Sequence, residues 1–325
     1  MSAHEKSRAA SLSVLSNTFL VVAKLAVGLM IGSVSVISEA IHSAVDLLAA
    51  VIAWFAVRFS DRPADEHHPY GHGKMENLSG AIEALLIFLA AGWIIWEAGH
   101  KLVHGGAVES PGWGILVMAV SAGLNLAVSA NLMRVGRKHD SMALIADGLH
   151  LRTDVWTSVG VFAGLALIAV VRWFVPGARV DWIDPVSAIV VALLIVKAAW
   201  DMTVQATGAL LDEALPDDEV AHIKDLARAE AHIRSLHDLR TRKSGAQRMV
   251  DAHVAVPAEL SVYEGHASAR RLKDGILSKW GQANVNLHLD PCDGSCKAPC
   301  LSGCLLGDAQ RADLHQTWRE RVAAH

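Results

Sequence analysis

The sequence predicts a polytopic α-helical membrane domain followed by a small α+β domain, and three observations carry that expectation. Apolar runs of about 20 residues, the length that crosses a hydrocarbon core, recur through the first two thirds of the chain. Hydrophobic residues make up 52% of the 325, charged residues only 19%, and the charge is concentrated beyond about Asp212. There the pattern changes from long apolar runs to short alternating segments, as expected where a soluble domain begins. The expected organisation is a six-helix membrane domain over 1–211, a second domain over 212–291 and a tail over 292–325.

The six spans are placed near Leu12 to Ile31, Val34 to Phe59, Leu78 to Trp96, Trp113 to Leu132, Met142 to Val171 and Pro185 to Ala206. Lys24 interrupts the first run and no small-residue cleavage site follows, which argues against a cleaved signal peptide. Gly32-Ser33 leaves room only for a tight reversal between the first two helices. Lys6, Arg8, Arg58, Arg62, Lys74, Arg134, Arg137 and Lys138 fall on one side of the bilayer, against Lys101, Arg172 and Arg179 on the other. The positive-inside rule then puts both termini in the cytoplasm.

Beyond the sixth span, Asp217 to Ala231 has helical spacing, and Pro216 with Asp217, Asp218 and Glu219 suits a helix start. Two alternating segments, Leu236 to Thr241 and Arg248 to Val256, flank a hairpin signal at Ser244-Gly245. A helix from Ser261 to Trp280 and a strand from Val285 to Leu289 complete the α+β unit. No solenoid repeat is visible. The net charge of -4 argues against a nucleic-acid partner, which normally recruits a basic face.

The chemistry is concentrated in two intramembrane pairs with one spacing, His42 with Asp46 and His150 with Asp154. Residues four apart share a helix face, so two such helices can aim two imidazoles and two carboxylates at one point. Ionisable groups at that depth are costly and mark substrate or ion pathways. The four groups make a tetrahedral donor set for zinc, and imidazole favours zinc, copper, nickel and iron over magnesium, calcium and manganese. The alternative is that each His and Asp pair with one another across the bundle. Glu39 and Asp147 lie three residues before the two histidines, as partners that orient a ring nitrogen or, preferably, as solvated lids at the cavity mouth. Lys24 and Glu83 are read as an interhelical pair or as snorkelling side chains.

The loop Ala64-Asp65-Glu66-His67-His68-Pro69-Tyr70-Gly71-His72-Gly73-Lys74-Met75-Glu76, the two His-x-x-x-Asp pairs and the second domain together resemble the cation diffusion facilitator family from about Leu12 to Pro291. The resemblance implies a homodimer of six-helix protomers that exports Zn2+ or a related divalent ion in exchange for protons. It also implies that 212–291 is a cytoplasmic metal-binding dimerisation domain of metallochaperone-like, ferredoxin-like fold. His42, Asp46, His150 and Asp154 match the family's transport positions, where two His-Asp pairs accompany zinc, all-carboxylate sets accompany manganese, and exchanging one His for Asp broadens acceptance toward cadmium. Asp65, His68 and His72 match an interfacial loop site, with His67 an extra imidazole. Lys74 and Asp212 match a charge pair at the domain junction. His237, His253, His266, His288 and Asp290 match a binuclear cytoplasmic site in which Asp290 bridges two ions.

The tail departs from the family pattern. Cys292, Cys296, Cys300 and Cys304 recur every four residues, while Gly294, Pro299 and Gly303 argue against a regular helix. The cysteines are read as a metal site or as flexible free thiols, reduced if the tail is cytosolic. No His-Glu-x-x-His motif supports an intramembrane protease, so a transporter is expected rather than an enzyme. The alternatives are an exporter preferring iron, cobalt or cadmium, and a membrane metal sensor that does not transport. The compact chain, with no long histidine-rich loop between the fourth and fifth helices, resembles bacterial members and a plasma-membrane location.

Overall fold

The computed structural model describes the backbone of residues 2–31, 34–104, 114–174 and 182–324. Side chains are described there except at 2, 3, 28, 31, 34–39, 41, 42, 101, 104, 114–118, 157, 158, 160–172, 183 and 184. The chain forms two compact units, Met1–Leu210 and Leu211–His325.

Among the described residues the first unit holds six helices: α1 (Ser2–Ile31), α2 (Val34–Ser60), α3 (Lys74–His104), α4 (Gly114–His139), α5 (Met142–Phe174) and α6 (Ile183–Leu210). They begin and end within a few residues of the expected spans, apart from the α1 start and the α3 and α4 ends, which run further, and the Gly32-Ser33 reversal lies outside the described residues. Among the described residues, His4–Val27, Ser43–Ser60, Lys74–His100 and Pro185–Leu210 are long and apolar enough to cross a membrane. The burial pattern is inverted relative to a water-soluble bundle. Phe19, Leu29, Leu89, Trp93 and Trp200 face outward, while Asn17, Asp46, Glu83, Asn125, Asp147 and His150 are buried. That arrangement suits a hydrocarbon solvent, which hides apolar surface at no cost and leaves polar groups to find partners inside.

Helix α5 packs against each of the other five helices, which makes it the element best placed to carry a central site. Small residues allow the approach, as expected where lipid offers no hydrophobic drive for association. A Cβ added at Gly136 on α4 would meet Ile145 Cγ1 at 2.9 Å and the Ile145 backbone nitrogen at 3.1 Å. Gly136→Ala should therefore destabilise the bundle by about 1–3 kcal/mol through overpacking, lowering the thermal aggregation midpoint of the detergent-solubilised protein. An unchanged midpoint would show that the α4–α5 seam can relax freely.

At one end of this unit, Lys6 ion-pairs with Asp61 at 2.7 Å and with the buried Glu76 at 3.1 Å. The hydroxyls of Ser60 and Ser141 also donate to Glu76. The cluster joins α1, the end of α2, the start of α3 and the α4–α5 turn, so removing one partner would leave a buried charge uncompensated.

The second unit runs α7 (Asp217–Ala229), β1 (Ser235–Ser244), β2 (Gln247–Pro257), α8 (Val262–Trp280), β3 (Ala283–Cys292), α9 (Ala298–Ser302) and α10 (Asp308–Ala323). The sheet order is β1-β2-β3, antiparallel then parallel. Its hairpin turns at Gly245, whose φ of +59° suits a tight two-residue turn. Ser261 and Glu264 cap α8 reciprocally, and Gly281 closes it with φ +69°. Ile223, Ala227, Val250, Val254, Leu272, Ile276 and Val285 form the core between helices and sheet.

The tail is folded, which corrects the reading of it as flexible. Leu236 N–H donates to the Gly303 carbonyl at 3.0 Å, Leu305 N–H to the Arg234 carbonyl at 2.9 Å, and Ser235 pairs with Cys304 beside β1. Pro299 sits in the first turn of α9, where its missing N–H costs nothing. These contacts use the outer edge of β1 and are invisible to local periodicity.

Candidate metal centres

Three clusters of potential ligands are built from different parts of the chain. The first lies inside the helical bundle. Ligand atoms of Asp46 on α2 and of His150 and Asp154 on α5 all lie within 4.8 Å of one another. His150 Nε2 is 3.3 Å from Asp46 Oδ1. Asp46 and His150 are 3% and 4% exposed, so water does little to screen them. The buried His150 Nδ1 has no hydrogen-bond partner among the described residues, leaving donor capacity unused. His42 stands one turn from Asp46 on α2, but its side chain lies outside the described residues.

Burial corrects two neighbouring readings. Asp147 is fully buried, so it is not a solvated lid, and Glu39 lies among the side chains not described. Lys24 is buried and donates to the Ser43 hydroxyl at 2.9 Å, and Glu83 is buried and accepts from Ser79 at 3.0 Å. Neither side chain snorkels to an interface.

The second cluster is in the loop between α2 and α3. Asp65 Oδ1 lies 3.2 Å from His68 Nδ1, and Oδ2 lies 3.4 Å from His72 Nε2. Backbone N–H groups of His68 and His67 donate to Asp65 Oδ1 at 2.7 and 3.0 Å. The His68 backbone bond, foremost, holds the Asp65 carboxyl below its ordinary range, so it remains ionised under mild acidification. His72 is buried and its Nδ1 finds no hydrogen-bond partner among the described residues. His67 is exposed and does not join the cluster. Lys74 donates to the Leu210 carbonyl at 3.2 Å, and Asp212 accepts from Arg242 at 3.1 Å.

The third cluster is set by strand register. His237 on β1 pairs with His253 on β2, which pairs with His288 on β3, so three imidazoles stand in one row across the sheet. Their ring centroids are 5.3 and 4.7 Å apart. Asp290, two residues beyond His288 and on the same face, presents both oxygens to the row. Oδ2 lies 2.8 Å from His253 Nδ1 and 3.5 Å from His237 Nε2, while Oδ1 lies 3.5 Å from His288 Nε2. Two ions could thus share one carboxylate. His266 stands apart on α8, exposed, lining a separate cavity with Lys273 and Asn286.

One acidic neighbour escaped the sequence reading. Asp238 offers a ligand atom close to those of His237 and His253. Strict strand alternation would turn it away from His237, but the register shifts between His237 and Arg240 and Asp238 has φ +50°. A bulge re-aims a side chain in this way. The only local hint was an aspartate, tolerant of left-handed backbone, beside a candidate ligand.

The profile of the cation efflux transmembrane domain matches residues 10–211, and that of the cation efflux protein cytoplasmic domain matches residues 215–292. An uncharacterized transporter of Synechocystis sp. is 34% identical over 262 residues, covering 80% of this chain and 82% of that protein. The cation-efflux pump FieF of Cronobacter sakazakii is 32% identical over 286 residues, covering 88% and 93%. A solved zinc-form structure of CzrB covers 25% of this chain and 93% of its own at 26% identity and a TM-score of 0.23.

Proposed function

The chain belongs to the cation efflux, or cation diffusion facilitator, family, and from that premise we propose that this membrane transporter exports Zn2+ in exchange for protons. The observation that carries the reading is the buried meeting of Asp46, His150 and Asp154 inside the helical bundle. His42, one turn from Asp46, supplies the fourth ligand of a tetrahedral set. We further propose a homodimer in the plasma membrane with both termini cytoplasmic, a loop metal site at Asp65, His68 and His72, and a binuclear site at His237, His253, His288 and Asp290, which His266 would join only by a movement of α8. Lys74 and Asp212 form the junction charge pair in this reading. The membrane domain ends at 211 and the metal-binding dimerisation domain at 291, with the tail packed on the edge of its sheet.

Proton coupling follows from ligand chemistry. Metal needs neutral imidazole and ionised carboxylate, so protons and metal compete for the same lone pairs. Imidazole titrates near pH 6.5, at about the boundary between cytoplasm and an acidified exterior. Metal enters the cage from the near-neutral side, and protons arriving from the acidic side displace it. Alternating exposure of the cage to the two sides then converts a proton gradient into metal export.

Inverted membrane vesicles test this directly. Acidifying the lumen should speed zinc uptake, and adding zinc should alkalinise the lumen, with Cd2+, Fe2+, Co2+ and Mn2+ compared in parallel. Uptake indifferent to the gradient would instead describe a passive channel. Tight binding without flux for any metal would describe a sensor.

A further inference from the structure

The cysteine tail holds a constellation that neither the transport cage nor the histidine row uses. Cys292 ends β3, Cys296 follows a turn with Gly294 at φ +90°, Cys300 lies in α9, and Cys304 bridges to Ser235 at the edge of β1. The Ser235 hydroxyl donates to the Cys300 carbonyl at 2.8 Å, which pins α9 to the sheet. All four thiols are free, half-buried and lining a single cavity of about 300 Å³. The cytoplasmic-domain profile ends at residue 292, so three of the four cysteines lie beyond it.

The same cavity is lined by Arg234, Lys297 and Arg311. Arg234 Nη2 lies 3.6 Å from Glu259 Oε1, while its buried Nη1 has no hydrogen-bond partner among the described residues and is left with a donor to spare. Four thiolates around a divalent ion carry a net charge of -2, and a partly buried dianion needs cations close by. The cavity lining provides three, alongside the carboxylates of Asp238, Asp290 and Asp293.

We propose that Cys292, Cys296, Cys300 and Cys304 form a tetrathiolate site for a thiophilic divalent ion, zinc or cadmium, that fastens the tail to the edge of β1. Binding replaces four S–H bonds by four metal–sulfur bonds and releases four protons, with no change of oxidation state. The four sulfurs share one cavity. They do not yet stand at ligand spacing among the described residues, so binding draws α9 toward the end of β3. His237 and Asp290 line the cavity too, which places this site against the histidine row.

The test is a Cd2+ titration of the full-length protein in detergent, followed by ultraviolet sulfur-to-cadmium charge-transfer absorption and by reactivity of the thiols toward a disulfide reagent. The expected result is a charge-transfer band that saturates as all four thiols lose reactivity, and release of protons in step. Cys300→Ser and Cys304→Ser should each weaken the band and leave the remaining thiols reactive. Asp46→Ala with His150→Ala should leave it unchanged, since imidazole and carboxylate ligands give no thiolate band, so loss of transport and loss of this site are separable. Four thiols still reactive with cadmium bound, or no band at all, would overturn the proposal.

Discussion

Vesicles carrying His150→Ala or Asp154→Ala should accumulate at least ~100-fold less zinc per protein than native vesicles. Loss of even an outer partner of a metal ligand costs about 10–100-fold, and these residues are proposed to touch the ion itself. His150 is the more severe case. Its Nε2 lies 3.3 Å from Asp46, and both groups are almost fully buried, so truncation removes a ligand and also strands a carboxylate in a low-dielectric bundle. Asp154→Asn separates charge from shape, because the amide keeps the volume yet is a far poorer ligand. Leu193→Ala on the outward-facing, lipid-side surface should leave uptake near native. Retained uptake in His150→Ala and Asp154→Ala, with protein levels matched, would remove the cage from the mechanism.

Asp290→Ala should have the largest effect on the soluble domain. Its two oxygens reach three imidazoles at 2.8, 3.5 and 3.5 Å, so one substitution withdraws a ligand from both proposed ions. Equilibrium dialysis of the full chain, in a background that also lacks the cage (Asp46→Ala, Asp154→Ala), the loop site (His68→Ala, His72→Ala) and the tail site (Cys300→Ser, Cys304→Ser), should show zinc affinity falling by about 10–100-fold and the number of ions held dropping from two. Asp238→Ala should weaken only the ion nearest His237 and His253. Unchanged stoichiometry in Asp290→Ala would mean that the histidine row binds without a bridge.

How much of this was legible depended on the range of the interaction that fixes each feature. The membrane helices and the two His-x-x-x-Asp pairs were readable because hydrocarbon thickness fixes span length and the helical period fixes which residues share a face. The α8 boundaries were readable from local chemistry, with Ser261 and Glu264 opening the helix and Gly281 closing it. Asp238 was not, because its orientation comes from a bulge whose cause is the pairing of β1 with β2. The tail was not, because α9 and Cys304 are held by backbone bonds to Leu236 and Arg234, more than sixty residues away in sequence.

The sequence by itself therefore determined the membrane class, the order of elements as far as β3 and the ligand types, all consequences of composition and of repeats shorter than one helix. Only the tertiary structure decided that α5 would carry His150 and Asp154 to Asp46 on α2, that strand register would align His237, His253 and His288, that His266 would stand apart, and that four cysteines would face one cavity. The physical reason is that period and burial set where a side chain points on its own element. Which elements meet is set by close packing and by backbone pairing between segments far apart in the chain, at places such as Gly136 against Ile145 and Ser235 beside Cys304.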